Sequence, residues 1–372
     1  MKMFVSFIAL VMLCCTCITA MAAFDLKPYM YADNGVIPVA RDTRLFLSAD
    51  SAEHHIRLEQ NGVVIREVSM AKNGDRLNVV LGEEGNIGLI TRPDLAGGQA
   101  QQLYYSWNED NTLSEAVKLS DRAGYLYACG NGFYGADYKA NFMEVFVRNA
   151  DGKEIFSRAY MPLMEEYISP MNCVRSADGT YLLAVCRENL NTNEKTIGVE
   201  RIAADGTVLW QTAFSGEYSF NGCVLSCDGE GGAYLVKASA ENYKIAQVYR
   251  IGTDGQLLWM KHLEAEGLIL HAFCGGYDEA EGGLVIDGNV VSRAKGVYRV
   301  IRVVIDGDGC IVHAGARDFS CRPDYGFTVL RAVDGSVFVQ SYANYLDTKN
   351  TKHVLVPADA LPEADVPVLT LE

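Results

Sequence analysis

The chain has 372 residues, 49% of them hydrophobic and 21% charged, with 35 Gly and 9 Pro. That composition excludes a disordered chain, a collagen, a coiled coil and a polytopic membrane protein. A net charge of −15 repels phosphate backbones and anionic lipid, so nucleic acid and membrane surfaces are set aside as partners.

Residues 1–22 have the form of an export signal. Lys2 gives a positive start, Phe4 to Ile18 is apolar, and Ala20-Met21-Ala22 is a small-x-small site that places cleavage before Ala23. Phe24-Asp25-Leu26-Lys27 follows, not the basic cluster of a stop-transfer segment. Cys14, Cys15 and Cys17 follow Leu13, Cys14 and Thr16, where a lipoprotein signal needs a small residue, so a lipid anchor is a minor alternative to cleavage. A retained signal anchor is another. The expectation is a monomeric extracytoplasmic chain, secreted or periplasmic, with no membrane insertion after cleavage and with residues 23–372 as one domain.

Further along, one hairpin recurs. Val199 to Trp210 and Val248 to Trp259 share seven of twelve positions, each a hydrophobic strand, an Asp-Gly turn and a second strand. Asp-Gly suits a hairpin because the turn needs positive φ, which Gly adopts freely and Asp tolerates. In chain order the turns fall at Asn61-Gly62, Asp110-Asn111, Asp151-Gly152, Asp205-Gly206, Asp254-Gly255 and Asp306-Gly307. A degraded seventh is expected near Asp359, between His353-Val354-Leu355-Val356 and Val366-Pro367-Val368-Leu369. The steps are 49, 41, 54, 49, 52 and 53 residues, too long for a simple solenoid and right for a four-stranded propeller blade. A second hairpin precedes the better copies, at Asp178-Gly179, Asp228-Gly229 and Asp334-Gly335. The expected fold is therefore all-β, a single β-propeller of about seven four-stranded blades, with six or eight as alternatives. Blade one starts at Val36 and the last ends at Leu371. No stretch carries a capped helical period, so almost no helix is expected.

This pattern of DGGY-type turns and D-G-x-x-x-W hairpins resembles the β-propeller repeats of bacterial secreted proteins. More loosely it resembles quinoprotein-like and WD40-like propellers. The resemblance covers most of residues 36–372, with its best copies at 170–215 and 220–264. It implies a fold and no particular activity. A tryptophan comparable to Trp210 and Trp259 packs between blades in quinoprotein propellers. Only two of seven copies keep it here, so no quinone or other cofactor is expected.

The mature chain keeps eight cysteines: Cys129, Cys173, Cys186, Cys223, Cys227, Cys274, Cys310 and Cys321. Cys173, Cys223 and Cys274 lie 50 and 51 residues apart, with Thr328 54 residues further on. They hold one position in successive blades and read as small buried side chains without bridges. Cys310 with Cys321 is the pair to check for a disulfide. A zinc site is not expected, because no C-x-x-C occurs in the mature chain and the histidines are scattered.

Arg57, Arg201, Arg250 and Arg302 each stand four residues before a turn. A ring of arginines around a channel would hold an anion, but salt bridges or stems lying across neighbouring strands are the favoured reading. Ser176-Ala177-Asp178-Gly179-Thr180-Tyr181 resembles an Asp-box, which is itself a fold element. Asp306-Gly307-Asp308-Gly309 lacks the remaining ligands of a calcium loop and reads as a turn. There is no G-x-S-x-G, H-E-x-x-H or P-loop. His54, His55, His262, His271, His313 and His353 occupy unrelated blade positions. No catalytic, cofactor-binding or metal-binding residue is assigned.

The expected role is a binding or scaffold module for a protein or glycan partner. The alternatives are a propeller hydrolase or lyase acting on a glycan or other polymer, and an assembly factor for membrane-protein precursors. An enzyme would gather ionisable residues of perturbed pKa at one mouth of the ring. A binding module would expose an apolar or aromatic patch.

Overall fold

The computed structural model describes residues 34–372, apart from 73–74, 83–84, 94–101, 121–125, 140, 217, 240–244, 293, 320–326 and 344–351. The export segment and Cys321 lie outside the described residues.

The chain forms seven antiparallel sheets in sequence order. Blade one is β1 (Asn34–Ala40), β2 (Thr43–Ala49), β3 (Glu53–Gln60) and β4 (Val63–Ala71). Blade two is β5 (Asp75–Leu81), β6 (Ile87–Pro93), β7 (Gln102–Ser106) and β8 (Val117–Ser120). Blade three is β9 (Leu126–Cys129), β10 (Gly132–Tyr138), β11 (Met143–Arg148) and β12 (Glu154–Tyr160). Blade four is β13 (Glu166–Arg175), β14 (Tyr181–Asn189), β15 (Lys195–Ile202) and β16 (Val208–Gly216). Blade five is β17 (Tyr218–Cys227), β18 (Ala233–Ser239), β19 (Ile245–Ile251) and β20 (Leu257–Ala265). Blade six is β21 (Ile269–Asp278), β22 (Gly283–Ser292), β23 (Val297–Ile305) and β24 (Ile311–Asp318). Blade seven has three strands among the described residues, β25 (Phe327–Arg331), β26 (Val337–Ala343) and β27 (Lys352–Pro357). The protein is a seven-bladed β-propeller. The described residues contain no α-helix, only a short 3-10 turn at Ala358–Ala360.

Burial follows from stacking. The first strands β9, β13, β17, β21 and β25 pack side by side in succession and line the axis. Second strands are covered on both faces by neighbouring blades, so Tyr181–Cys186 and Gly283–Val290 are continuously buried. That is why Tyr181–Cys186 reads as an unbroken apolar run, while the run in β22 is interrupted by buried Asp287 and Asn289. Outer strands such as β4 and β16 alternate between exposed and partly covered positions.

The turn chemistry is more specific than Asp-Gly alone implied. In blade four the Gly206 N–H donates to the Ala203 carbonyl at 2.9 Å, and the Ala203 N–H to that of Thr207 at 2.8 Å. Only Gly206 takes positive φ, at 85°. Asp205 keeps negative φ, and its carboxylate accepts the Thr207 N–H at 2.9 Å. This is a type I turn closed by a glycine bulge. Asn111 takes the glycine's place in blade two, at φ 66°. In blade six that place belongs to Gly309 (φ 76°), so the working pair is Asp308-Gly309, two residues beyond the marked one.

The expected hairpin at Asp359 does not form. After β27 the chain turns back along the outer rim. β28 (Glu363–Ala364) adds to β24 of blade six, and β29 (Leu369–Leu371) adds to β20 of blade five. Pro362 and Pro367 have no N–H to give a ladder beside β27, whereas short edge additions tolerate them. The chain's last strand therefore belongs to blade five, not to blade seven.

Six apolar clusters fill the six seams from blade one to blade seven. The seam that closes the ring, between blades seven and one, is polar among the described residues. Gln340 Nε2 donates to the Val36 carbonyl at 3.3 Å, and the Val333 N–H to the Val39 carbonyl at 3.0 Å. The Arg44 guanidinium lies 5.1 Å from the Phe338 ring centre.

Candidate functional site

The four marked arginines form ion pairs. Arg201 is buried; it contacts Asp178 at 2.6 Å and Thr180 Oγ1 at 3.1 Å, and donates to the Gly231 carbonyl of the next blade. Arg250 contacts Asp228 at 2.5 Å and lies over Tyr234. Arg302 contacts Asp287 at 2.8 Å, and Arg57 contacts Glu59 at 2.8 Å. They brace turns and strands rather than ring a channel. Trp210 packs on Gly255, and Trp259 Nε1 donates to the Gly307 carbonyl at 2.8 Å. Each tryptophan thus docks on the outer turn of the following blade. The Asp178 carboxyl is held down at about 2 by the Thr180 hydroxyl and N–H and by the Arg201 charge, against the opposing effect of burial. It is a bracing group, as an Asp-box reading implies.

The three cysteines Cys173, Cys223 and Cys274 lie on the first strands of blades four, five and six, and all are buried, but they do not share one position. Cys223 and Cys274 pair with the fifth residue of the second strand and Cys173 with the third. Cys274 faces the following blade while the other two face the preceding one, because the first strands carry different bulges. All three are free thiols, as are Cys129, Cys186, Cys227 and Cys310. The histidines are not brought together. His271 sits on an inner strand with its pKa lowered by burial, while His262 and His313 lie on outer strands. Among the described residues no group of three or more His, Cys, Asp or Glu is placed to hold a metal ion. No described helix is long and apolar enough to cross a membrane.

Two features remain. The first is a cavity of about 610 Å³ in the axial channel, along the inner strands of blades three to six. Tyr127, Asn172, Cys223, Cys274 and Tyr277 line it, and Arg175, Glu230 and Glu279 border it at the ends of β13, β17 and β21. Tyr127 stacks on Tyr134, with ring centres 4.9 Å apart. Burial pushes the Cys227 thiol on the same wall up to about 11 and that of Cys274 higher still. Neither is a thiolate nucleophile at neutral pH. The wall combines half-buried tyrosines, an amide and exposed rim charges, which suits holding a ligand through ring faces and hydrogen bonds.

The second feature lies at the opposite end of β13, where the chain passes from blade three to blade four. Met161, Leu163 and Met164 project there beside Leu190 of the β14–β15 loop, and Met164 is 92% exposed and Leu163 74%. The loop is held firmly. Glu166 accepts the Leu163 N–H at 2.9 Å and pairs with Arg187 at 2.8 Å. Arg187 also reaches the Met161 carbonyl at 3.3 Å, and the Leu190 N–H donates to the Glu165 carbonyl at 2.8 Å. Glu165 itself takes φ 64°. Sequence reasoning passed over this segment. Its signal was the run Met161-Pro162-Leu163-Met164, apolar residues at a place where two strands are merely joined.

No family model matches the sequence, and comparison with curated proteins finds no match. Among solved structures, prolyl oligopeptidase B from Galerina marginata in its apo form is 10% identical with a TM-score of 0.52, over 91% of this chain and 50% of that one. The same protein bound to a 35mer hydrolysis and macrocyclization substrate is 8% identical with a TM-score of 0.51, over 94% and 51%. A eukaryotic initiation factor is 10% identical with a TM-score of 0.42, over 93% and 87%. This chain spans about half the length of the prolyl oligopeptidase structures it matches. At such identities the likeness is one of fold.

Proposed function

We propose that this protein is an extracytoplasmic binding propeller that docks a partner protein on the apolar rim between blades three and four. The observation that carries this reading is the exposure of Met161, Leu163, Met164 and Leu190 on a loop pinned by Glu166 and Arg187. Exposed apolar side chains cost little on binding when their backbone is already ordered, and a contiguous patch of them is a usual mark of a protein interface. Export is supported by the signal-like residues 1–22. The test is a photo-crosslinking residue at position 164 in the producing cell, with position 256 at the other end of the ring as control. One discrete protein adduct at 164, lost with Leu163→Asp, is expected. Identical adduct patterns at both positions overturn the reading.

A second reading, an oligosaccharide held in the channel cavity, is favoured by the Tyr127–Tyr134 stack on its wall. Binding on a glycan array that disappears with Tyr127→Ala is its expected outcome. Binding unaffected by that change removes it.

A further inference from the structure

Cys129 ends β9 of blade three, and Cys173 lies in β13 of blade four. Both are sealed in the same apolar cluster, with relative exposures of 3% and 0%. Their Sγ atoms stand 3.4 Å apart as free thiols. Cys173 pairs with Leu183, the third residue of β14, two residues nearer the turn than the pairs of Cys223 with Lys237 and Cys274 with Asp287. Cys129 lies beside the first turn of its blade, packed against Cys173 in the seam between blades three and four. A disulfide has a bond length of about 2.05 Å, so roughly 1.4 Å of approach by side-chain rotation completes the bond.

We propose that Cys129 and Cys173 form a disulfide that staples blade three to blade four. The chemistry is thiol–disulfide exchange with an external disulfide oxidant. One thiolate attacks the oxidant and releases one thiol. The second thiolate then attacks the mixed disulfide and releases the other. Two protons and two electrons leave the pair, and the oxidant takes them up as two thiols. Burial places the reaction during folding, before the two blades seal the sulfurs from solvent. The same burial then protects the bond from reductants. The proposal rests on the export reading only for where the oxidant is met.

The staple also bears on the channel. Tyr127 stands two residues before Cys129, and Val174 and Arg175 directly follow Cys173, all three on the cavity wall or rim. Gly130 already packs against the Arg175 stem, since a Cβ there would lie 3.0 Å from Arg175 Cδ. Closing the bridge fixes the spacing between these two walls of the cavity.

The experiment is refolding of the full mature chain with oxidised glutathione or with dithiothreitol, followed by mass spectrometry of non-reduced peptides. The expected result is a linked pair containing Cys129 and Cys173 in the oxidised sample, with Tm higher by roughly 4–10 °C than in the reduced one. The shift should vanish in Cys129→Ser and persist in Cys223→Ser. Recovery of both residues as free thiols after oxidative refolding, or their linkage to other cysteines, overturns the proposal. Alkylation in intact producing cells separates the two readings. A bridge formed in the refolding tube but absent in the cell counts against export and not against the pair.

Discussion

The backbone N–H of Arg41, in the first turn of blade one, donates to Asp334 Oδ2, in the first turn of blade seven, at 2.7 Å. Arg41 also pairs through its guanidinium with Asp359 of the returning tail, at 2.7 Å. Together these contacts join the two ends of the ring at the one seam without an apolar cluster among the described residues.

Asp334→Ala should therefore loosen ring closure, by about 1–2 kcal/mol in chemical denaturation, the scale of a lost charge-assisted hydrogen bond with its turn contact. Burial works to raise the Asp334 pKa, but the N–H groups of Arg41 and Ser336 outweigh it and hold the group below the ordinary carboxylate value. A depressed pKa in the folded state stabilises above the unfolded value near 3.9 and loses that contribution as pH falls through the folded value. Wild type should lose more stability than Asp334→Ala on acidification below about pH 4. Equal pH dependence of the two would show that the seam does not rest on this carboxylate. Amide exchange in β1 and β25–β27 should be the part that quickens.

Gly132, Gly232 and Gly283 each sit at or just before the start of a second strand, facing the carbonyl at the end of the third strand or just beyond it. A Cβ on Gly132 would press into the Arg148 carbonyl oxygen, and one on Gly283 into that of Ile305. Backbone cannot yield as a flexible side chain can. Gly132→Ala should destabilise by about 2–4 kcal/mol, while Gly62→Ala, whose Cβ meets nothing within 4 Å, should cost about 1 kcal/mol through its positive φ alone. Matched urea curves measure the difference.

Removing residues 362–372 takes away β28 and β29 together with the paired backbone bonds between His262 and Glu372, at 2.7 and 3.2 Å. Leu369 and Leu371 pack against the cluster between blades five and six. The loss should be roughly 2–4 kcal/mol. The bared edges of β20 and β24 should also raise self-association. Light scattering of the truncated chain checks this. An unchanged monomer with an unchanged Tm would mean that the tail is not a working part of the fold.

Native thiol labelling should reach exposed Cys310 and miss Cys223 and Cys274 until the chain unfolds, whereas Cys173, bridged to Cys129, should stay unlabelled after unfolding until a reductant is added. Cys223→Phe should cost about 1–3 kcal/mol by overpacking, toward the lower end because Cys223 borders the channel cavity. Cys223→Ala should cost less.

Blade number was legible in the sequence because each blade is built from local hairpins. A glycine such as Gly206 and an aspartate such as Asp205 shape their turn through neighbours only a few residues away. The bracing roles of Arg201, Arg250, Trp210 and Trp259 were legible for a related reason. Recurrence at the blade period marks a packing contact that successive blades reuse. The destination of the tail was not legible, since Leu369-Thr370-Leu371 alternates equally well for any open edge, and only the ring's geometry brings the β20 edge to it. Nor did spacing indicate that Cys129 meets Cys173, because that contact depends on how blade three packs against blade four. The apolar rim at Met161 to Met164 carries no periodic mark either. Hydrophobic pattern predicts burial, and only the packed structure shows which apolar residues were left outside.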